Sequence, residues 1–447
     1  MMAIGPRGSL IITRRSTMKA WKTLLGILGI ALPLGAQVHL GGYLETYQRY
    51  WVHADSGRWT WNENRLQIQL EATPAENLHF YTELRLRGLG FPQVHSLEDL
   101  QGAHKDPVYP WSLEIREAYA DLYDFGLSGL DVRIGRQVIA WGTADKINPT
   151  SNLSPYDFED FFDFGAKLGV NALRATYTRD PWSLEVDLVP VFTPATLPPA
   201  GWSAGFLGFP GATAGIPLHL RVSIPSPEIQ NTQLGLKLST TLLDWDLSLS
   251  YYRGFDGLPL PDTLLMTPNP PALQVHLRYP KIQVVGADVA GALGSVGLWA
   301  EAALFVPEDF VQQAPWGLDT VLQDPYLKAV IGGDYTFRGG LYVHAQYVHG
   351  FLHERGDSLH DYLVARLEKK FHNDELTLAP LGVAATVGDW DDVGHHYGIA
   401  WIPEVKYTPT DNLELRLGAF VLHGEGANLF AALKEHDEVF FRVKVSW

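Results

Sequence analysis

The sequence predicts an all-β fold, a transmembrane antiparallel up-and-down β-barrel, and three observations lead to it. The 447-residue chain begins with an export signal, continues as a long series of segments in which apolar and polar residues alternate, and joins these segments by short turns and long loops in turn. Strands place successive side chains on opposite faces, so alternation gives each segment one apolar and one polar face. The rhythm of short turns and long loops is typical of barrels that span membranes.

Residues 1–36 have the three-part form of a secretory signal peptide. Two lysines precede the apolar run 24–34, and small residues follow it at positions 35 and 36. We expect translation to start at Met18, cleavage to follow Ala36, and residues 37–447 to form the barrel with long extracellular loops. The apolar run is too short to cross a bilayer as a helix. A short membrane anchor is the alternative interpretation.

The alternation predicts eighteen strands. It is clearest in segments 65–71, 233–239, 245–251 and 413–421, where leucines share one face and polar residues the other. An even number of strands places both termini on the periplasmic side. If neither segment 280–291 nor segment 295–306 is a strand, the barrel has sixteen strands. The predicted strands start near residues 39, 62, 77, 111, 130, 165, 181, 231, 244, 280, 295, 326, 340, 360, 374, 397, 412 and 437.

The connections between these strands are of two kinds. Short turns alternate with long loops, and turn-forming residues fill both. A barrel must close because hydrocarbon offers no partner for the backbone groups of an open sheet edge. The first strand, His39–Trp51, must therefore pair with the last, Asp437–Trp447. The long loops are predicted at 89–110, 142–164, 193–230, 255–279, 307–325, 388–396 and 423–436.

Composition narrows the functional classes. The chain has no cysteine, which excludes disulfides, thiolate metal sites, iron–sulfur clusters and covalently attached c-type haem, and we expect no cofactor. The net charge is −16, and residues after position 36 carry 29 − 50 = −21, which argues against nucleic-acid binding. No G-x-S-x-G, H-E-x-x-H or P-loop pattern is present, so we predict that the protein is not an enzyme.

The lumen of such a barrel is predicted to be wet and charged. A barrel of about 16–18 strands holds water unless it is plugged, and the first strand starts too close to Gln37 for a plug domain to precede it. Polar residues of the second to fifth strands take the phase opposite to the leucines and so face the lumen. These predicted pore-lining residues are Arg65, Arg85, Arg87, Arg116, Arg133, Glu83 and Glu114.

The loop after the fifth strand has two interpretations. It carries an acidic and aromatic segment that contains Asp157, Glu159, Asp160 and Asp163. In one interpretation it is solvated and the arginines belong to a salt-bridged wall, which any wide barrel needs. In the other it folds into the channel opposite the arginines, an arrangement that resembles the third loop of general porins. Opposed charges would then select among ions.

A short string around this loop resembles a group of porin-like outer-membrane proteins with a G-R-Q…W-G…N-P pattern. The resemblance covers about 20 residues of the 447 and implies a porin-like barrel without naming a solute. Arg136 falls in the outward phase unless a bulge at Gly135 turns it inward. The matching residues are Gly135, Arg136, Gln137, Trp141, Gly142, Asn148 and Pro149.

Two histidine-containing groups are weaker candidates for a metal site. Segment 389–396 combines carboxylates with two imidazoles, and four histidines lie between positions 344 and 360. Side chains of these types bind divalent cations, but such loops are more often simply solvated. We therefore predict no metal.

Together these features predict an outer-membrane porin of a Gram-negative-type bacterium for passive or weakly selective diffusion of small hydrophilic solutes or ions. A dedicated export or uptake channel for one compound and a barrel sheath around a periplasmic electron-transfer partner are the alternatives. The expected partners are membrane lipid and lipopolysaccharide, the barrel assembly machinery and two further copies in a homotrimer. The terminal Trp447 resembles the aromatic signature that the assembly machinery reads.

Overall fold

A computed structural model describes residues 37–52, 57–101, 106–163, 165–198, 218–269, 271–314 and 317–447. The predicted signal peptide lies outside these residues. Within them, no helix has the length and apolar character needed to cross a bilayer.

Strands dominate the described residues. Two short helices lie in long loops, α1 (Leu97–Gln101) and α2 (Leu429–Ala432). The strands in chain order are β1 Gln37–Trp51, β2 Arg58–Ala75, β3 Leu78–Leu89, β4 Trp111–Leu122, β5 Leu130–Gln137, β6 Val170–Arg179, β7 Trp182–Val189, β8 Leu218–Ser223, β9 Gln233–Leu242, β10 Trp245–Phe255, β11 Leu260–Pro268, β12 Pro271–Arg278, β13 Lys281–Leu293, β14 Val296–Pro307, β15 Phe310–Ala314, β16 Gly317–Leu322, β17 Tyr326–Thr336, β18 Leu341–His349, β19 Asp361–Phe371, β20 Leu376–Val387, β21 Tyr397–Trp401, β22 Glu404–Thr410, β23 Leu413–Glu425 and β24 Glu438–Ser446.

Nineteen of these strands form one antiparallel barrel with eighteen strand positions, because β21 and β22 are two halves of one position between β20 and β23. The barrel closes where β1 pairs with β24, from Tyr43 opposite Ser446 to Trp51 opposite Glu438. The prediction of a closed barrel of eighteen strands is confirmed, and both segments that the sixteen-strand alternative doubted are strands. Every barrel strand starts within five residues of its predicted start.

The outer surface of the barrel is apolar and the inner surface is polar. On β10, Leu249 is 63% exposed, whereas its neighbours Ser248 and Ser250 are 6% and 7% exposed because they point into the barrel. The same outward phase exposes Leu44 on β1, Leu417 on β23 and many others. A closed sheet with an apolar skin has no edge and buries its backbone polar groups, which is what hydrocarbon requires.

The remaining five strands form a second sheet from three of the long connections, all of which were predicted to be loops. We call it the outer sheet, with strand order β16–β15–β11–β12–β8. Its pairing combines segments far apart in the chain: β8 runs parallel to β12, from Leu218 opposite Leu273 to Ser223 opposite Arg278. Parallel pairing over such distances leaves no local turn signal, so alternation within short segments was the one available hint.

Candidate functional site

The connection between β5 and β6, residues 138–169, runs across the interior of the barrel. We call it the inner loop. It contacts Arg87 on β3 and Glu301 on β14, both buried and inward-facing. These two strands lie almost opposite each other, since seven barrel strands separate them on one side of the described barrel. The inner loop also reaches β23, where Phe162 stacks on Phe420 with ring centroids 3.6 Å apart.

On one side the inner loop is held by a single buried carboxylate. Oε2 of Glu301 accepts hydrogen bonds from the backbone N of Thr143 at 3.1 Å and of Ala144 at 3.3 Å, and from Nδ2 of Asn148 at 3.1 Å. Its Oε1 accepts from Thr150 N at 2.8 Å and from Thr150 Oγ1 at 2.7 Å. Glu301 is 2% exposed. All five donors to its oxygens are uncharged groups of the loop, so this attachment is a carboxylate nest, and the charge of the buried Lys167 also acts on it.

On the other side the inner loop is held by ion pairs with three arginines. Arg87 makes a bidentate contact with Glu159, with distances of 2.8 and 3.1 Å. Arg116 Nη1 lies 3.2 Å from Asp157 Oδ2. The third pair joins Arg49 on β1 to Asp160. Planar guanidinium groups suit such two-point contacts with carboxylates.

Asp157 is the most constrained of these loop acids. Burial alone would raise the pKa of Asp157, but the hydrogen bond from Thr196 Oγ1 at 2.6 Å and the charge of Arg116 hold that pKa below its ordinary value. The carboxylate therefore stays ionised, and its ion pair stays intact, through mildly acidic conditions.

A cavity of about 680 Å³ lies between parts of the inner loop and the wall formed by β14 and β17–β24, which the loop touches at Phe420 and Gln346. We call this wall the far wall. Carboxylates of the loop and arginines of the far wall line the same space. Glu404 lies between two of the arginines, 3.4 Å from Arg366 and 3.5 Å from Arg416. The charged residues that line the cavity are Asp145, Lys146, Asp160, Asp163, Asp334, Arg366, Glu404, Arg416 and Arg442.

The arginines predicted to line the pore all meet polar partners on the inner face of the barrel. Arg65 contacts Glu63 at 2.9 Å, and Arg133 contacts Asp121 at 2.6 Å. Arg85 donates to Gln67. The two predicted acidic residues have partners as well: Glu83 accepts from Gln69 and Tyr81, and Glu114 lies 3.1 Å from Arg87. Their role in conduction stays a prediction.

Several residues of this site were not predicted from the sequence. Glu301, Arg366 and Arg416 were not singled out, although each belongs to a correctly predicted strand. For Glu301 a signal existed, because it is the single charged residue in the otherwise apolar β14. The far-wall arginines had the inward phase, but alternation does not tell which inward residues face the loop.

The G-R-Q…W-G…N-P residues lie where the inner loop leaves the wall. Gly135 has a φ of +130°, and a Cβ there would lie 2.3 Å from the carbonyl oxygen of Ala118, so only glycine fits. Gly142 has a φ of +91°, and its Cβ would lie 2.3 Å from Glu301 Oε2. Trp141 donates from Nε1 to Glu185 at 2.7 Å. Asn148 contacts Glu301, Pro149 accepts from Asn152, and Gln137 donates to Ala172.

Arg136 remains in the outward phase, because β5 keeps a regular register through Gly135 with both of its neighbours. The bulge lies in the neighbouring strand β4 instead. There the register with β3 shifts, so that Arg116 has no partner residue on β3. Nε of Arg136 donates to the carbonyl of Ile115 at 2.8 Å, beside that bulge. The arginine thus satisfies a backbone acceptor near the irregularity.

The two histidine groups do not converge on a common point. His349 contacts Asp361, His360 contacts Glu354, and His395 contacts Asp392. Across the described ranges, no group of three or more potential ligands is arranged for a metal ion.

Comparisons with known proteins agree with the fold. A family model described as "Protein of unknown function (DUF1302)" matches residues 103–356. No curated protein matches the sequence. OccAB3 of Acinetobacter baumannii is similar in structure, with a TM-score of 0.53 and 10% identity, over 93% of this chain and 100% of that one. OccK9 (OpdG) of Pseudomonas aeruginosa gives a TM-score of 0.50 and 15% identity, over 92% and 98%. At these identities the likeness bears on the fold, which is that of outer-membrane porins.

Proposed function

We propose a function for this chain, which belongs to the DUF1302 family of proteins of unknown function. It is an outer-membrane porin, through which small hydrophilic solutes or ions diffuse past the inner loop. One observation carries the proposal. The inner loop is fixed to two distant parts of the wall and leaves, on the side of the far wall, a cavity of about 680 Å³ lined by charged and apolar side chains. A loop held in this way narrows a wide lumen to a defined passage.

The charges around the cavity indicate how the passage would act on ions. Three acids of the loop, Asp145, Asp160 and Asp163, line one side together with Lys146. Three arginines of the far wall, Arg366, Arg416 and Arg442, line the other side together with Asp334 and Glu404. Opposed charges of both signs create a transverse field that orders water and orients dipolar solutes. Since both signs are present and Glu404 compensates part of the positive charge, we infer weak selectivity between cations and anions.

The contacts of the predicted constriction residues refine this proposal. Asp157 and Glu159 are engaged by arginines of the near wall, so they act as attachments of the loop. Asp160 is paired with Arg49 and also lines the cavity. Asp163 lines the cavity too, so the acidic side of the constriction consists of Asp160 and Asp163 together with Asp145.

A planar-bilayer recording tests the proposal. The refolded protein should give discrete conductance steps, and neutral sugars of graded size should enter liposomes up to a defined limit. Changing Asp157, Glu159 and Asp160 to Asn, Gln and Asn should alter both conductance and the ratio of cation to anion permeability. Silent bilayers and liposomes impermeable to the smallest sugars would exclude a porin.

The proposed passage also bears on the alternatives. A sheath around a periplasmic electron carrier needs a lumen wide enough for a protein, and the inner loop occupies that space. A channel dedicated to one compound differs from a general porin in saturable transport, which flux measurements at rising solute concentration would reveal. The homotrimer and the recognition of Trp447 by the assembly machinery stay predictions.

A further inference from the structure

We propose that the outer sheet carries a serine-type hydrolytic site formed by Ser223, His276 and Asp262. Ser223 Oγ lies 2.7 Å from His276 Nε2, and His276 Nδ1 lies 2.6 Å from Asp262 Oδ1. A nucleophile, a base and an acidic residue that orients the base are therefore linked in a row by two short hydrogen bonds. This geometry, rather than any sequence order, identifies a catalytic triad.

The three residues come from three strands that pair side by side. Ser223 ends β8, His276 lies on β12, and Asp262 lies on β11. On β12 the neighbours Val275 and Leu277 are 1% and 2% exposed, so they point to the buried face of the outer sheet. The side chain of His276 points to the opposite face and is 35% exposed. The triad is therefore open to solvent and to a substrate.

Asp262 reaches the histidine because β11 is irregular at this residue. The register with β12 shifts between Pro261 and Thr263, which leaves Asp262 as the extra residue of a bulge. Bulges redirect a side chain in this way and are frequent beside active sites. The second oxygen of Asp262 lies 3.4 Å from Nε of Arg278, and that guanidinium packs over the ring of Phe310 at 4.5 Å. The carboxylate is thus held from both sides.

The tautomer of His276 follows from these contacts. A carboxylate can only accept, so Nδ1 carries the proton that it donates to Asp262. In the neutral imidazole, Nε2 then holds a lone pair and accepts the hydrogen bond from the hydroxyl of Ser223. This is the protonation state that a general base needs before it takes the proton of a serine.

The reaction that fits is hydrolysis of a carboxylic ester. Ser223 Oγ attacks the ester carbonyl while its proton passes to His276 Nε2. The C–O bond to the alcohol then breaks, and His276 returns the proton to the leaving alkoxide, which leaves an acyl group on Ser223. Water repeats the two steps, with His276 as base and then as acid, and releases the carboxylic acid. The net change is ester plus water to acid plus alcohol.

The edge position of β8 leaves backbone groups available beside Ser223. β8 is an edge strand of the outer sheet, so in the described part of the chain its open side has no partner strand for the backbone N–H groups that point there. Such N–H groups are the usual donors to the oxyanion of an acyl-transfer intermediate. Leu220 and Val222 of β8 lie opposite Val275 and Leu277, so they point to the other face of the outer sheet, whereas Arg221, opposite His276, shares the face of Ser223.

Covalent labelling of the folded, detergent-solubilised protein tests this proposal without any variant. Diisopropyl fluorophosphate should phosphorylate Ser223, and mass spectrometry of the proteolysed protein should find the adduct on the peptide that contains it. p-Nitrophenyl butyrate should be hydrolysed by the same preparation. An adduct on another serine, or no adduct at all, would overturn the proposal.

Variants then separate catalysis from structure. S223A and H276N should each lower the rate of butyrate ester hydrolysis by about 100-fold or more, and D262N should lower kcat with little change in KM because Asp262 acts by positioning His276. S226A, an exposed serine three residues away, is the matched control and should keep full activity. Heat-modifiable migration on gels and unchanged channel conductance would show that each variant folds. If wild type and S223A hydrolyse the butyrate ester at equal rates, the proposal is overturned. The porin function does not depend on this outcome.

Discussion

The inner loop is attached to the barrel in two chemically different ways. At Glu301, five uncharged donors of the loop converge on one buried carboxylate, whereas at β1, β3 and β4 three arginines pair with loop acids. Removing the carboxylate would leave several buried donors without an acceptor, and each such group costs about 1–3 kcal/mol. Removing one arginine leaves a loop acid that water reaches only in part, since Asp157 is 13% and Glu159 31% exposed. The two attachments should therefore differ in strength, and variants can measure that difference.

The largest effect is expected for Glu301→Gln. The new amide presents N–H groups where the loop also presents N–H groups, so the loop should lose about 3 kcal/mol or more of attachment, roughly a 100-fold change in the ratio of attached to detached loop. Single-channel recording should show higher and noisier conductance.

Asp288→Asn is the matched control for this variant. Asp288 is an inward carboxylate on the neighbouring β13 and bonds Ser248 on the barrel wall instead of the loop. If the conductance and the current noise of Glu301→Gln equal those of the wild type, the carboxylate does not hold the loop.

A smaller effect is expected when the ion-pair side is weakened. Arg87→Gln together with Arg116→Gln removes two pairs but leaves Arg49–Asp160 and the Glu301 attachment in place. Arg49–Asp160 and the Glu301 attachment still hold the loop in this double variant, so conductance should rise by less than in Glu301→Gln.

Arg133→Gln is the control for the paired arginines, since Arg133 contacts Asp121 of the wall and not the loop. A larger rise in conductance in the double variant than in Glu301→Gln would show that the ion pairs, and not the buried carboxylate, are the stronger attachment.

Changing the far wall should alter selectivity and leave the loop attached. Arg366→Gln, Arg416→Gln and Arg442→Gln together remove three positive charges from the cavity while the loop acids remain. The ratio of cation to anion permeability, read from the reversal potential in a salt gradient, should rise several-fold with a modest change in conductance. An unchanged reversal potential would mean that ions take another path.

The smallest effect is expected from acid. The pKa of Asp157 in the folded protein lies below its ordinary value. The ionised carboxylate therefore contributes fully to loop attachment at any pH above the unfolded-state pKa of about 3.9. This contribution is lost as the pH falls through the lower pKa of the folded state. Asp157 is therefore ionised at both pH 7 and pH 5, and it should cause no difference in conductance between them. Comparison with Asp157→Asn at both values isolates this residue, and a step between pH 7 and pH 5 that the variant lacks would contradict the assignment.

The barrel was predictable from the sequence because its physical cause is local. Each strand must show one apolar and one polar face, and this requirement appears residue by residue, as in Leu247 and Leu249 alternating with Ser248 and Ser250. Closure followed from the need of the first and last strands for partners. The outer sheet was not predicted, because its parallel pairings, β8 with β12 and β11 with β15, join segments that lie far apart in the chain.

The candidate site was only partly predictable. The inward phase of Arg87 and Arg116 and the acidic character of segment 157–163 were visible, and the structure shows which arginine meets which acid. The partner of the other end of the loop was not visible. Glu301 lies about 150 residues from the donors it accepts, and no periodicity connects them.

A closed cylinder with an apolar exterior and a polar interior follows from the order of residues alone, because burial of backbone groups in hydrocarbon leaves one solution for a chain that alternates in this way. Which polar groups of that interior meet is a property of the folded chain. Ion pairs such as Arg87–Glu159, the nest around Glu301 and the row Ser223–His276–Asp262 depend on distances between residues remote in sequence. Such distances depend on the paths of the loops and on which remote segments pair, and the pattern of apolar and polar residues does not encode either.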